Sequence, residues 1–349
     1  RLTAAPLART DDDAFEPAAL QAALGPGDAL VEYGVLDDEL FACIVTTEGV
    51  QVQRQLAAWP EVEEALRAAR FQIETLRHGS APVQQPLSAL TARAQRRLDR
   101  LHALVWQPLA AHLARRRRLL IVPCRSLAAL PFAALPHGPQ LVLAQRFVLA
   151  VVPSARLALH GLQHQPAPPK TVLALGESSR LPHAAREAIA VASMFEAGTA
   201  LVGDQASVAA LQQHAPQADA IHLACHAQFR SDNPMFSALH LHDAALSVEA
   251  VEALTLRAGT VVLSACDTAL SGAGGGDDER VGLVRAFLLA GAARVLAALW
   301  PVEDEITATF MADFYAALRA GHSPAQALQQ AQVRRMATHP HPFFWAAFA

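Results

Sequence analysis

Lysine is nearly missing from this chain. Lys170 is the only one, and arginine supplies the rest of its basic residues. Basic residues number 28 against 32 acidic ones, for a net charge of −4. That balance argues against a nucleic-acid binder working through bulk positive charge. The excess of arginine and alanine reads as genomic base composition. Cysteine is also sparse, at four: Cys43, Cys124, Cys225 and Cys266. Their wide spacing resembles neither a disulfide framework nor a CxxC metal site, so a reducing, cytoplasmic setting is expected. No apolar run reaches about 18 residues without a charge, so no membrane span is expected. The stretch Phe287 to Trp300 comes closest, and Gly291 and Arg294 break it. No secretory signal opens the chain, which begins at Arg1 without an initiator Met and reads as a piece of a longer protein. No short-period repeat is visible.

What is present is a folded, apolar chain. Hydrophobic residues make up 52% and charged ones 17%, which excludes disorder for most of it. A length of 349 residues is long for one core and points to two domains. In the first half, strands are expected at Ala29–Tyr33, Leu40–Thr46, Gly49–Gln53, Leu119–Pro123 and Gln145–Val152. Helices are expected near Glu61–Leu76 and Leu87–Ala114. The basic run Arg115–Arg118 reads either as a patch for phosphate or an acidic partner, or as a helix C-terminus favoured by the macrodipole. The proline-rich stretch His164–Lys170 is the best linker. Beyond it, strands and helices alternate, which predicts a mainly parallel sheet covered by helices. Its strands are Val172–Leu175, Ala200–Val202, Ala220–Ala224, Ala238–Leu241, Val261–Ala265 and Ala293–Leu299.

Two of those strands end on reactive side chains. The run Ala220-Ile221-His222-Leu223-Ala224 leads into Cys225-His226, and Thr260-Val261-Val262-Leu263 leads through Ser264-Ala265 into Cys266-Asp267. Ligands and catalytic groups of open parallel sheets gather beyond the carboxyl ends of strands. If the two strands are neighbours, a thiol at 266 lies beside an imidazole at 226, a nucleophile beside its base. The alternative for Cys266 is a small inert core residue. His222, Cys225 and His226 also form a conceivable metal site, although the context is strand-like and the glutamate of a metalloprotease helix is absent. His222 otherwise reads as a buried supporting histidine and Cys225 as core. His240 and His242 alternate on a strand and line one face, or are simply half-buried strand residues. The glycine-rich segment Ser271–Asp278 is expected to be mobile and to gate the thiol. It lacks the Lys-Ser/Thr ending of a phosphate-binding loop.

At this density of signals the chain resembles the CHAT domain family, which belongs with caspase-like cysteine peptidases and includes relatives of separase. The resemblance runs through nearly the whole chain. It is carried by Leu120-Ile121-Val122-Pro123, Leu127-Ala128-Ala129-Leu130-Pro131-Phe132, His222-Leu223-Ala224-Cys225-His226 and Leu263-Ser264-Ala265-Cys266-Asp267-Thr268. Leu299-Trp300-Pro301-Val302 and His341-Pro342-Phe343-Phe344-Trp345 add to it. It implies an α/β, caspase-like fold: a mainly parallel sheet flanked by helices, preceded by a pseudo-protease-like subdomain. Residues 1–164 would be the pseudo-caspase-like subdomain and residues 165–349 the peptidase subdomain.

The resemblance also implies a cysteine endopeptidase with catalytic Cys266 and His226, needing no metal or cofactor. The backbone amides of Ala227 and Cys266 would form the oxyanion hole. Ala227 stands where the family usually has glycine, and a positive φ there would strain an alanine. Asp304 matches a separase position that receives a basic side chain, with Glu303 and Asp267 as lesser candidates; the other reading of Asp304 is a helix N-cap. The expected partners are a protein substrate and a regulatory protein or repeat domain outside this chain, with no nucleic acid and no membrane. The alternative function is a catalytically inactive caspase-like scaffold for protein–protein interaction.

Overall fold

The computed structural model describes residues 15–77, 86–165, 167–179, 181, 183–228, 235, 237–264, 266–267, 278–301 and 304–349. Residues 266, 267, 278–281 and 304 are described through their backbones. The chain forms two compact units. One comprises residues 14–164 with 332–347 and 349, and the other residues 165–331 with 348. The stretch 332–347 thus groups with the first unit although it follows the second in sequence.

The first unit opens with α1 (Pro17–Ala23) and an antiparallel meander of β1 (Asp28–Leu36), β2 (Glu39–Thr46) and β3 (Gly49–Ala58). Helices α2 (Trp59–Ile73), α3 (Leu87–Leu101) and α4 (Ala110–Leu113) follow. The single long helix expected over Leu87–Ala114 is interrupted by a π turn at His102–Trp106 and a 3₁₀ turn at Gln107–Leu109. Pro108 lies in that interruption, where it has no N–H to give to an α-helical bond. Next come β4 (Arg118–Val122), a short hairpin of β5 (Pro136–His137) and β6 (Leu141–Val142), α5 (Leu143–Arg146), β7 (Val148–Val151) and α6 (Ala155–Gln163). The strand expected over Gln145–Val152 is therefore shorter. Gln145 accepts a hydrogen bond from the Val142 N–H at 3.0 Å and closes a helical turn first. The sheet order is β3-β2-β1-β4-β7, with β4 parallel to both β1 and β7. The arginine run is partly consumed within this unit: Arg116 pairs with Glu48 at 2.7 Å, and Arg118 pairs with Asp28.

The second unit alternates as its sequence pattern requires. Its elements are β8 (Thr171–Gly176), α7 (Ala184–Ser193), β9 (Ala197–Val202), α8 (Val208–His214), β10 (Ala220–Ala224), β11 (His226–Gln228), β12 (Ala238–His240) and β13 (Ala245–Ser247). Then come α9 (Val248–Glu252), β14 (Thr260–Leu263), β15 (Cys266–Asp267), α10 (Asp278–Leu289), β16 (Val295–Ala297), α11 (Asp304–Arg319) and α12 (Pro324–Met336), which reaches into the residues grouped with the first unit. Strands β16-β14-β10-β8-β9 form a sheet in which every pairing is parallel.

Strand alternation sorts this sheet into two faces. Odd-numbered Leu173, Leu175, Ile221, Leu223, Val261 and Leu263 enter one apolar cluster with Leu211 of α8, Val248 and Val251 of α9, and Phe287 of α10. Each such fully buried aliphatic side chain contributes about 1.5–3 kcal/mol. The other face carries His222, which meets α7 and α11. At the end of β8, Gly176 leaves room for the start of α7. A Cβ there would lie 2.5 Å from the Ala184 carbonyl oxygen.

Candidate active site

The parallel register of β10 and β14 pairs Ala220 with Thr260 and Leu223 with Leu263, a constant offset of 40 (260 − 220). Two residues intervene on each chain segment, and pairing then resumes between β11 and β15. His226 partners Cys266 and Ala227 partners Asp267, again at an offset of 40 (266 − 226). The α-carbons of His226 and Cys266 therefore face each other across neighbouring strands, which run about 5 Å apart. The juxtaposition follows from core packing three residues earlier. Ile221, Leu223, Val261 and Leu263 fix the register because a one-residue slip would turn each of them out of the core.

His226 itself is buried, at 8% exposure. Its neighbours Cys225 and Ala227 both enter the apolar cluster, at 0% exposure, so His226 takes the opposite side of the strand. Cys225 is thus a core residue. On the other edge of β11, β12 runs antiparallel and pairs His226 with His240 and Ala227 with Leu239. The His226 and His240 rings lie 5.6 Å apart between centroids, tilted by 34°. His240 Nε2 is 3.2 Å from the Gln228 amide oxygen. His242 lies beyond the end of β12 and is exposed. Ala227 sits within a β-strand, so its extended backbone suits alanine and the strain expected of a positive φ does not arise there.

His222 does not join His226 as a ligand. It is fully buried, with Nδ1 3.2 Å from the Tyr315 hydroxyl of α11 and Nε2 2.9 Å from Glu187 Oε1 of α7. The Glu187 approach is close but off the direction of an aligned hydrogen bond. With the proton on Nε2, toward the carboxylate, Nδ1 accepts from the tyrosine. Burial, and then the Glu187 charge, raises the Tyr315 pKa well above its ordinary value. The network ties β10 to the two helices on its polar face. The metal reading loses His222 and Cys225 to these roles, and no group of three or more metal-ligating side chains occurs among the described residues.

Two polar residues at the carboxyl rim escaped sequence reasoning. Glu177, just past β8, is 3% exposed; its N–H donates to the Ala224 carbonyl at 3.0 Å and its carboxylate accepts from the Ser179 N–H at 2.9 Å. Ser264, just past β14, is 6% exposed, and its hydroxyl has no hydrogen-bond partner among the described residues. The available signal was the one used for His226 and Cys266: a polar residue at the end of an apolar strand. Asp304 is the first residue of α11, one position inside the helix from the N-cap expected for it, where a negative charge also suits the dipole. Asp267 follows Cys266 in β15. Glu303 and the glycine-rich residues 271–277 lie outside the described residues.

The CHAT domain model matches residues 95–349. The chain belongs to the CHAT domain family. This CHAT domain is similar to a chain in the crystal structure of the Saccharomyces cerevisiae separase–securin complex, with a TM-score of 0.65 and 11% identity. The match covers 95% of this chain and 30% of that one. The fold is accordingly caspase-like, as in separase: a parallel sheet flanked by helices. A sequence relative is Tetratricopeptide repeat protein 28 of Mus musculus, 28% identical over 295 residues that cover 67% of this CHAT domain chain and 12% of the mouse protein. The chain thus spans under a third of either relative. None of the helices among its described residues is long and apolar enough to cross a membrane.

Proposed function

We propose that this CHAT domain is a cysteine endopeptidase with a Cys266–His226 dyad. The observation that carries the reading is the register pair of those two residues at the carboxyl rim of a caspase-like sheet. In the proposed reaction His226 takes the thiol proton, and the Cys266 thiolate forms a bond to the peptide carbonyl carbon. The amides of Ala227 and Cys266 receive the oxyanion. The C–N bond breaks as His226 returns its proton to the leaving amine. Water then attacks the thioester, giving a proton to His226, and the acid and the thiol are released. A thiol has an ordinary pKa near 8.5, so the imidazole's first task is to maintain the thiolate. No cofactor enters the scheme.

Asp304, with Glu303 and Asp267 in support, is the proposed acceptor of a basic side chain before the scissile bond. Residues 1–164 are the proposed pseudo-caspase-like half and residues 165–349 the peptidase half. Control by a protein partner is proposed from two facts. The matched crystal structure is of a separase–securin complex, and the mouse relative is by name a repeat protein of which these residues cover a small share. The wide spacing of the four cysteines is the basis for proposing a cytoplasmic setting.

An electrophilic peptide carrying arginine next to its warhead tests the reading. Stoichiometric modification of Cys266, lost in His226→Ala and indifferent to chelator, is expected. A well-folded protein that resists the probe would instead be the inactive scaffold. Retained preference for arginine in Asp304→Ala removes the specificity assignment alone.

A further inference from the structure

His226 has a second imidazole beside it that the dyad does not use. Its place is set by the core. Ala227 and Leu239 pair between β11 and β12, Leu239 pairs in turn with Leu246 of β13, and all three enter the apolar cluster. The alternate residues of the same strands, His226, Gln228 and His240, share the opposite face. Within that trio His240 is directly across from His226, and its Nε2 meets the Gln228 amide oxygen at 3.2 Å. An amide oxygen only accepts, so the neutral His240 ring carries its proton on Nε2.

Resting on the dyad reading above, we propose that His240, clamped by Gln228, is a positioning residue for His226. Its ring limits the rotamers open to the His226 side chain and couples the titration of the two imidazoles. The ring spacing of 5.6 Å supports both effects. A ring packed at that distance removes space that other χ1 and χ2 values of His226 would use. Two imidazoles that close do not charge independently, because a proton on one disfavours a proton on the other. The ionisable residues on the strands flanking His226 are His240 on β12 and Cys266 and Asp267 on β15. Glu177, whose N–H bonds to the Ala224 carbonyl, also lies along this rim. Charging His240 therefore opposes the imidazolium form of His226 that pairs with a thiolate. It also eases the later transfer of that proton to a leaving group.

The test follows the rate of Cys266 alkylation by iodoacetamide against pH, in the full chain, with the site of labelling read by mass spectrometry. His240→Leu is expected to slow labelling at neutral pH roughly tenfold, the scale of a small misplacement of a reacting group. His240→Phe keeps a ring without a titrating group. It is expected to label faster than His240→Leu, with one titration step fewer in its pH profile than the parent. Gln228→Leu releases the clamp and is expected to slow labelling while retaining that step. Persistence of the full profile in His240→Phe overturns the proposal, as does a parent-like rate in His240→Leu. His226→Ala separates the two readings. If it labels as fast as the parent, the dyad itself fails; if it is slow while His240→Leu is not, only the role of His240 fails.

Discussion

Each unit of the molecule carries cysteine on or beyond the strands of a sheet, and the residue opposite in the ladder is a carboxylate in one unit and a histidine in the other. In the first, Cys43 on β2 lies opposite Glu32 of β1. Burial raises the Cys43 pKa, and the negative charge of Glu32 raises it further. Cys124 follows β4 by two residues, and burial pushes it up to about 11 against a smaller opposing pull from Arg125. In the second, Cys266 follows β14 by three residues and pairs in register with a histidine. A cysteine past a strand end is thus an ordinary structural outcome. Burial holds the first two thiols protonated, whereas the proposed dyad gives the third a base beside it.

The largest expected effect breaks or upholds that contrast directly. At pH 7 a thiol of pKa about 11 is thiolate in only about one molecule in 10⁴. Cys266 should therefore be alkylated at least ~100-fold faster than Cys124 and faster than Cys43. Peptide mapping after a short pulse of iodoacetamide reads all three at once, and equal rates would end the comparison.

Acid should separate the units next. His341, in the C-terminal stretch grouped with the first unit, is fully buried, and burial lowers its pKa to about 4. Its Nδ1 accepts from the Phe343 N–H at 3.2 Å, while Nε2 has no hydrogen-bond partner among the described residues. The unfolded chain binds the proton near pH 6.5 and the folded one only near pH 4. Stability contributed by the neutral ring is therefore present above about 6.5 and falls as pH drops toward 4, by up to about 3 kcal/mol. Urea melts at pH 7 and pH 4.5 should show that loss in the parent, and His341→Gln should flatten the slope.

A smaller effect probes the polar network of the second unit. Tyr315→Phe removes the hydroxyl at His222 Nδ1 and leaves that nitrogen buried without its donor, at a cost of about 1–3 kcal/mol. Thermal melts measure it, and no change would mean that the tyrosine packs without bonding. The smallest effect is expected at Ser264. Its buried hydroxyl lacks a partner among the described residues, so Ser264→Ala should leave stability unchanged or raise it by up to about 1 kcal/mol. A clear loss would reveal a bond to a residue beyond those described.

Much of the second unit was legible because its main strands are short, mostly apolar runs bounded by polar residues. The strand expected at Ala220–Ala224 is β10. Strands β11 and β15 were not legible as strands. Two or three residues cannot display a period, and these pair only because the longer strands before them are already in register. The positions of His226 and Cys266 were readable as strand ends, whereas their pairing needed the sheet order. The role of His222 was also hidden, since Glu187 and Tyr315 come from helices 35 and 93 residues away in sequence (222 − 187; 315 − 222). In the first unit the sequence pattern of an amphipathic helix ran past Pro108, and the tighter and wider turns around it could not be inferred from apolar spacing.

The constant offset of 40 has a consequence for how this molecule can change. Two positions separate Leu223 from His226 on one segment and Leu263 from Cys266 on the other, equal spacings between one register pair and the next. Lengthening one by a single residue would slide histidine past cysteine. Lengthening both together would restore the match. Two stretches of gene some 40 codons apart are thereby bound to gain or lose length in concert.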